Sequence, residues 1–197
     1  MNYARYVSSL LTACFFSRVY ALALLLALSI AFVGCDRGVE GTAASSEPAK
    51  NPEPYAFGTT VKAGKGGEFG RYAVSGWSKT EDQFTWTEGN TAVLAMHIPA
   101  TEAGITLKMR ANGLIHPPAL PHQPVEVLVN NQKIADWTVG GVAEHSSAIP
   151  PQMVNAGGLL TITFKMPKAV APKAVAGVND QRVLGLCVHD FELREVF

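Results

Sequence analysis

The stretch GWSKTEDQFTWTEG, residues 76–89, gathers two tryptophans and several acids in a chain that is 9% aromatic and 16% charged. Sugar recognition needs these types, because an aromatic ring covers the apolar C–H face of a pyranose while polar groups bind its hydroxyls. A second polar motif, NDQRVLG at 179–185, supplies further partners. The candidate ligand-binding residues are therefore Trp77, Glu81, Trp86, Asp180 and Arg182.

The same residues also have a purely structural interpretation. Both tryptophans would fill the core, and Glu81 would form a buried pair with Arg182. Such a pair can join two distant motifs, because a planar guanidinium binds a carboxylate through two hydrogen bonds. Under either interpretation we expect the two motifs to meet in space. We expect Trp86 to belong to the core and Trp77 to be the residue that faces a ligand.

Catalysis is not indicated. A glycosidase needs two facing carboxylates roughly 5–10 Å apart, whereas Glu81, Asp82 and Glu88 lie on one predicted loop. The chain has no Gly-x-Ser-x-Gly elbow and no Gly-rich phosphate loop with a lysine. We expect no enzyme and no catalytic residues, with a glycosidase as the nearest enzymatic alternative.

Metal and thiol chemistry are also not indicated. The five histidines are dispersed, and a zinc site needs three or four converging ligands. We expect no cofactor and no metal ligands, although a structural calcium ion between strands is left open. Cys187 lies in the alternating run VLGLCVHDFEL and is expected to be buried and inert.

The first 34 residues have the pattern of a signal peptide. Two arginines, Arg5 and Arg18, precede an apolar run at 19–34, which is shorter than the ~20 residues that cross a bilayer. The sequence FVGC at 32–35 resembles the lipobox of bacterial lipoproteins. We therefore predict export and lipidation at Cys35.

The next segment has the composition of a tether. Residues 35–57 are dominated by Ala, Ser, Glu and Pro, so we predict a disordered linker that folding does not require. Residues 58–197 then form one domain of ordinary size. Lys and Arg total 16, as do Asp and Glu, and no basic run stands out, so nucleic acid is not an expected partner.

The domain shows strand patterns separated by Pro and Gly. Alternating runs occupy 91–98, 104–111, 159–166 and 182–196, and 124–139 is typical of a hairpin that turns at Asn130 and Asn131. No window has helical periodicity with caps. The sequence predicts an all-β fold, an antiparallel β-sandwich or jelly roll.

Four segments in this order resemble an uncharacterised β-sandwich domain of bacterial cell-envelope proteins. They are GWSKTEDQFTWTEGNTAVLAMHIP, PVEVLVNNQKIADWTV, LLTITF and NDQRVLGLCVHDFEL. That domain accompanies membrane-bound glycosyl and phosphoglycerol transferases, whereas we expect this chain to be a stand-alone lipoprotein. The resemblance implies a non-catalytic, membrane-tethered envelope module that binds a glycan or polysaccharide intermediate. The alternative is a structural domain that docks onto an envelope protein such as a glycosyltransferase. Either would be lipid-anchored and face the periplasm or the cell exterior.

Overall fold

The structure is a computed structural model that describes residues 51–196. The predicted signal peptide, Cys35 and the linker up to residue 50 lie outside the described residues. The strands are β1 (Glu53–Pro54), β2 (Val61–Lys62), β3 (Ala73–Ser75), β4 (Thr85–Glu88), β5 (Thr91–Ile98), β6 (Gly104–Gly113), β7 (Gln123–Val129), β8 (Gln132–Val139), β9 (Ala143–Ile149), β10 (Gly158–Lys165) and β11 (Leu184–Val196). One short helix, α1 (Pro172–Ala176), and 3-10 turns at Phe69–Arg71 and Pro151–Met153 accompany them. No helix in the described part is long and apolar enough to span a bilayer.

The strands form two sheets. One has the order β1–β5–β10–β7–β8, with β3 also paired to β5, and the other has the order β2–β11–β6–β9, with β4 also paired to β11. The pairs are antiparallel except for β1 with β5. The predicted all-β antiparallel sandwich is confirmed.

Alternating side chains of both sheets meet in one core. Ile162 and Phe164 of β10 and Leu186 and Phe191 of β11 are at most 1% exposed and belong to the same apolar cluster. Because successive strand residues point to opposite faces, the residues that alternate with these buried ones along each strand face outward from the sandwich. The core therefore decides which side chains reach the surface.

The longer predicted strands are present. The hairpin turn lies where expected, since Asn130 and Asn131 have φ values of 47° and 67°, the conformation of a tight two-residue turn. The run at 91–98 is β5, and the other three runs correspond to β6, β10 and β11. The pattern missed β9, and it missed β4, which lies within the motif at 76–89 that was expected to be a loop.

The predicted linker extends too far toward the domain. Within residues 35–57, β1 pairs with β5, and Tyr55 is only 3% exposed. The Tyr55 ring stacks on Phe191 at 6.0 Å, and its hydroxyl accepts the Leu193 N–H at 2.8 Å and donates to the Thr59 carbonyl. The folded chain therefore begins before residue 58, since both β1 and the Tyr55 side chain pack onto the sandwich.

We predict that Tyr55→Ala lowers the free energy of unfolding by about 3–5 kcal/mol, the range for removing a large buried aromatic side chain. Tyr55→Phe keeps the ring but leaves the buried Leu193 N–H without its acceptor, which costs about 1–3 kcal/mol. Urea unfolding of the full chain measures both values. An unfolding free energy unchanged by Tyr55→Ala would mean that this segment does not pack on the domain.

Candidate functional site

The chain changes sheets at Gly76. The preceding strand β3 pairs with β5, whereas Trp77 and Ser78 pair with β4 of the other sheet. Gly76 has a φ of 74°, and a Cβ atom here would lie 2.0 Å from the Thr91 carbonyl oxygen. Only glycine fits this crossing, which places residues 77 and 78 at the edge of the five-stranded sheet.

The two tryptophans of the motif face opposite sides of that sheet. Trp77 pairs with Thr87, and the Ser78 N–H donates to the Trp86 carbonyl at 2.9 Å. Thr85 and Thr87 are buried in the interior. Trp77 therefore points inward with Thr87, while Trp86 points outward with Ser78.

Trp77 packs against the core. Its ring meets Phe69 at 4.8 Å and Phe164 at 6.3 Å, both edge to face, and its indole N–H donates to the Val93 carbonyl at 2.8 Å. Its exposed part borders a depression of about 440 Å³ formed mainly by residues 69–78. The expectation that Trp77 faces outward and Trp86 fills the core is therefore reversed.

Trp86 lies outside the core. It is partly exposed and does not belong to the apolar cluster between the sheets. Phe84 stands beside it, with ring centroids 6.3 Å apart and planes at 82°. The two rings therefore stand nearly perpendicular to each other.

A row of outward-facing residues crosses three adjacent strands, β4, β11 and β6, and the short segment that pairs with β4 at residues 77–78. Ser78 pairs with Trp86, Trp86 with Cys187, and Cys187 with Asn112. With strands ~4.8 Å apart, the row is ~14 Å long. We call Ser78, Trp86, Cys187 and Asn112 the outer row.

Cys187 forms the floor of the outer row. Its side chain is 2% exposed, and burial, together with the nearby charge of Glu81, raises the pKa of the thiol to about 12. A neutral buried thiol is neither a nucleophile nor a metal ligand. The expectation of a buried cysteine is confirmed.

Arg182 joins the two predicted motifs at one end of the row. Its guanidinium donates to Asp180 from Nη2 at 2.7 Å and from Nε at 3.1 Å, and it reaches Glu81 and Ser78 from Nη1 at 3.4 Å each. The Arg182 side chain is 35% exposed and that of Glu81 is 39%. The motifs meet as expected, but the guanidinium fork binds Asp180, and the Glu81 pair is not buried.

This contact has electrostatic consequences. Hydrogen bonding to Arg182 lowers the pKa of the Asp180 carboxyl, and the same hydrogen bond raises the pKa of the Arg182 guanidinium. Both groups are therefore charged at neutral pH. Beside them lies an open depression of about 690 Å³, lined by Lys65, Lys79, Thr80, Glu81, Asp82 and Arg182.

A second polar pair lies at the other end of the row, and the sequence interpretation missed it. The His189 Nε2 atom is 2.8 Å from the Asn112 Oδ1 atom, and the imidazole contacts the Phe84 ring at 5.7 Å. The signal was the pair His189-Asp190 between the inward-facing Val188 and Phe191, since two successive polar residues break strict alternation. Of the five predicted site residues, the structure therefore brings four to this surface or its edge and places Trp77 elsewhere.

The described residues contain no cluster of metal-ligating side chains. Among residues 51–196, no three His, Cys, Asp or Glu side chains are grouped so that they could hold a metal ion. The acids of this surface instead contact Arg182 and lysines, as Asp82 does with Lys65.

No protein-family model and no curated protein matches this sequence. Solved structures with a similar arrangement include carbohydrate-binding modules. The C-terminal family 6 module of a laminarinase from Zobellia galactanivorans has a TM-score of 0.43 at 9% identity, covering 70% of this chain and 98% of that one. A family 6 module from Clostridium stercorarium in complex with cellobiose has a TM-score of 0.42 at 10% identity, covering 74% and 97%. The resemblance to an envelope domain holds at the level of the β-sandwich, and association with a transferase stays a prediction.

We predict that the two tryptophans differ in their contribution to stability. Trp77→Ala should lower the free energy of unfolding by about 3 kcal/mol, because it removes ring contacts with the core and leaves a carbonyl without its donor. Trp86→Ala should cost about 1 kcal/mol, since the ring lies outside the core. Urea unfolding of both variants measures the difference, and equal losses would contradict the opposite orientations.

Proposed function

We propose that this protein is a non-catalytic glycan-binding module and that Trp86 is the platform on which a sugar ring stacks. The observation that carries the proposal is a partly exposed indole outside the core, with Ser78 beside it and the Glu81–Arg182 pair at the same edge. An aromatic face next to a carboxylate and a guanidinium matches the mixed surface of a pyranose, which is apolar on its face and polar around its rim.

The hydrogen bonds of Arg182 suit ligand exchange. Its contacts to Glu81 and Ser78 are 3.4 Å long, longer than the ~2.9–3.0 Å typical of N–H···O bonds, so a sugar hydroxyl can displace them at little cost. Its contact to Asp180 is short, at 2.7 Å. Asp180 therefore keeps the guanidinium oriented while Nη1 changes partners, which is the support a binding group needs.

The same cluster does not suit hydrolysis. A glycosidase needs a carboxylic acid that is still protonated near neutral pH, which requires a raised pKa. Asp180 has the opposite shift, because Arg182 lowers its pKa. Glu81 contacts the same guanidinium, so the two carboxylates share one cation. They do not face each other across an open cleft.

We predict that Trp86→Ala and Glu81→Gln each weaken glycan binding by at least about tenfold, or about 1.4 kcal/mol of binding free energy. A glycan array with the full chain identifies the ligand, and isothermal titration then measures the variants. Glu102→Gln, which changes an exposed acid on the β5–β6 loop, is the matched control. Wild-type affinity in Trp86→Ala would rule out the platform.

The proposal includes a location in the bacterial cell envelope. The basic leader, the short apolar run and FVGC at 32–35 support a lipid anchor at Cys35, with the domain facing the periplasm or the exterior. Its partner would then be an envelope glycan or a membrane-bound transferase that handles one.

We predict that a palmitate analogue labels the full chain in a bacterial host and that Cys35→Ser abolishes the label. Cys14→Ser is the matched control and should keep it, because Cys14 follows too little apolar sequence to be a processing site. Labelling that persists in Cys35→Ser, or that depends on Cys14, would contradict the anchor.

A further inference from the structure

We propose that His189 and Asn112 form a second hydroxyl-binding subsite, so that the ligand is a chain of at least two sugar units laid across the strands. This inference rests on the proposed function, since it extends the site from Trp86 to the far end of the outer row. The implied ligand is a linear oligosaccharide or polysaccharide, and neither His189 nor Asn112 is among the site residues predicted from the sequence.

A β-bulge places His189 on this surface. Val188 pairs with Ala111 and Asp190 with Arg110, so His189 is an additional residue in β11 without a counterpart in β6. The bulge lets His189 and Asp190 both face outward, while Phe191 still returns to the core. Bulges commonly redirect a side chain beside a functional site, and here the redirected side chain is an imidazole.

The hydrogen bond within the pair leaves one donor and one acceptor free. An amide oxygen only accepts, so with Oδ1 of Asn112 facing it, Nε2 of His189 carries the proton and Nδ1 is an acceptor. Burial and then the nearby Arg110 lower the pKa of His189, which favours this neutral form. Nδ1 of His189 and the amide NH₂ of Asn112 have no partner within residues 51–196, and neither is a buried atom. A vicinal pair of sugar hydroxyls can supply the matching acceptor and donor.

The spacing between the two ends requires more than one sugar. Trp86 and Asn112 lie on strands two positions apart, with Cys187 between them, which corresponds to ~10 Å. Ser78, with its contact to Arg182, lies on the segment that pairs with Trp86 on the other side. A single pyranose stacked on Trp86 can reach one set of polar groups but not both. Two or three linked units cover the row.

Phe84 closes one side of this path. Its ring contacts Trp86 at 6.3 Å and His189 at 5.7 Å, so it bridges the platform and the second subsite along one flank. The buried thiol of Cys187 leaves the floor between them free of charge. The surface thus offers polar groups at both ends and an aromatic ring between them, so one sugar unit can stack on Trp86 while its neighbours bind the polar ends through their hydroxyls.

The test uses ladders of linear β-1,3- and β-1,4-linked gluco-, xylo- and manno-oligosaccharides from one to six units, titrated into the full chain. We expect affinity to rise by at least about tenfold between one and three units. Asn112→Ala should remove that gain while leaving the affinity for the single unit unchanged. Thr106→Ala, an outward-facing position on the same strand β6, is the matched control. Trp86→Ala should weaken binding at every length.

The outcomes separate this inference from the proposed function. Affinity that is independent of chain length, or a length gain that survives Asn112→Ala, overturns the second subsite and leaves the Trp86 platform standing. An absence of binding both to every ladder and to every glycan of the array overturns the platform and the subsite together. His189→Gln is the second variant if Asn112→Ala fails to fold, and it should also remove the length gain.

Discussion

The pairing of β11 with its neighbours is the constraint on which this surface depends. β11 is hydrogen-bonded to β6 along one edge and to β4 and β2 along the other. Its inward side chains, among them Val188 and Leu193, are completely buried. Because the register of the buried residues fixes the register of those between them, the positions of Cys187 and His189 on the outside follow from the core. Packing of the core thus also fixes the positions of side chains that lie outside the core.

The motif at 76–89 folds back on itself, and this divides its residues between the inside and the outside of the sandwich. Residues directly opposite in an antiparallel pair share a face, so Trp77 goes inward with Thr87 and Ser78 goes outward with Trp86. One tryptophan of the motif therefore packs against the core, and the other lies on the outer surface of the sheet. The expected division between the two tryptophans was right in kind, but the structure exchanges their faces.

Residues with a local signal were predictable from the sequence. Asn130 and Asn131 favour positive φ, and the alternation in β5 and β10 reveals one buried face, so these elements were found. Trp77 and Trp86 were assigned to the wrong faces because a face depends on pairing across a turn, which the spacing alone does not show. Tyr55 was missed because its partners Phe191 and Leu193 lie more than 130 residues away in the chain. Non-local contacts of this kind leave little trace in composition.

Tyr55 also has a mechanical consequence. A pulling force on the chain upstream of residue 51 first loads β1, which has two residues, and then the Tyr55 N–H bond to the His97 carbonyl at 2.8 Å. So short a ladder resists little shear, and the load then passes to the Tyr55 ring and to its hydroxyl bond with the Leu193 N–H. Leu193 belongs to β11, the long strand that has neighbours along both edges. The Tyr55 side chain therefore transmits tension from the start of the domain into β11. Tyr55 is thus the side chain that resists detachment of this segment under force.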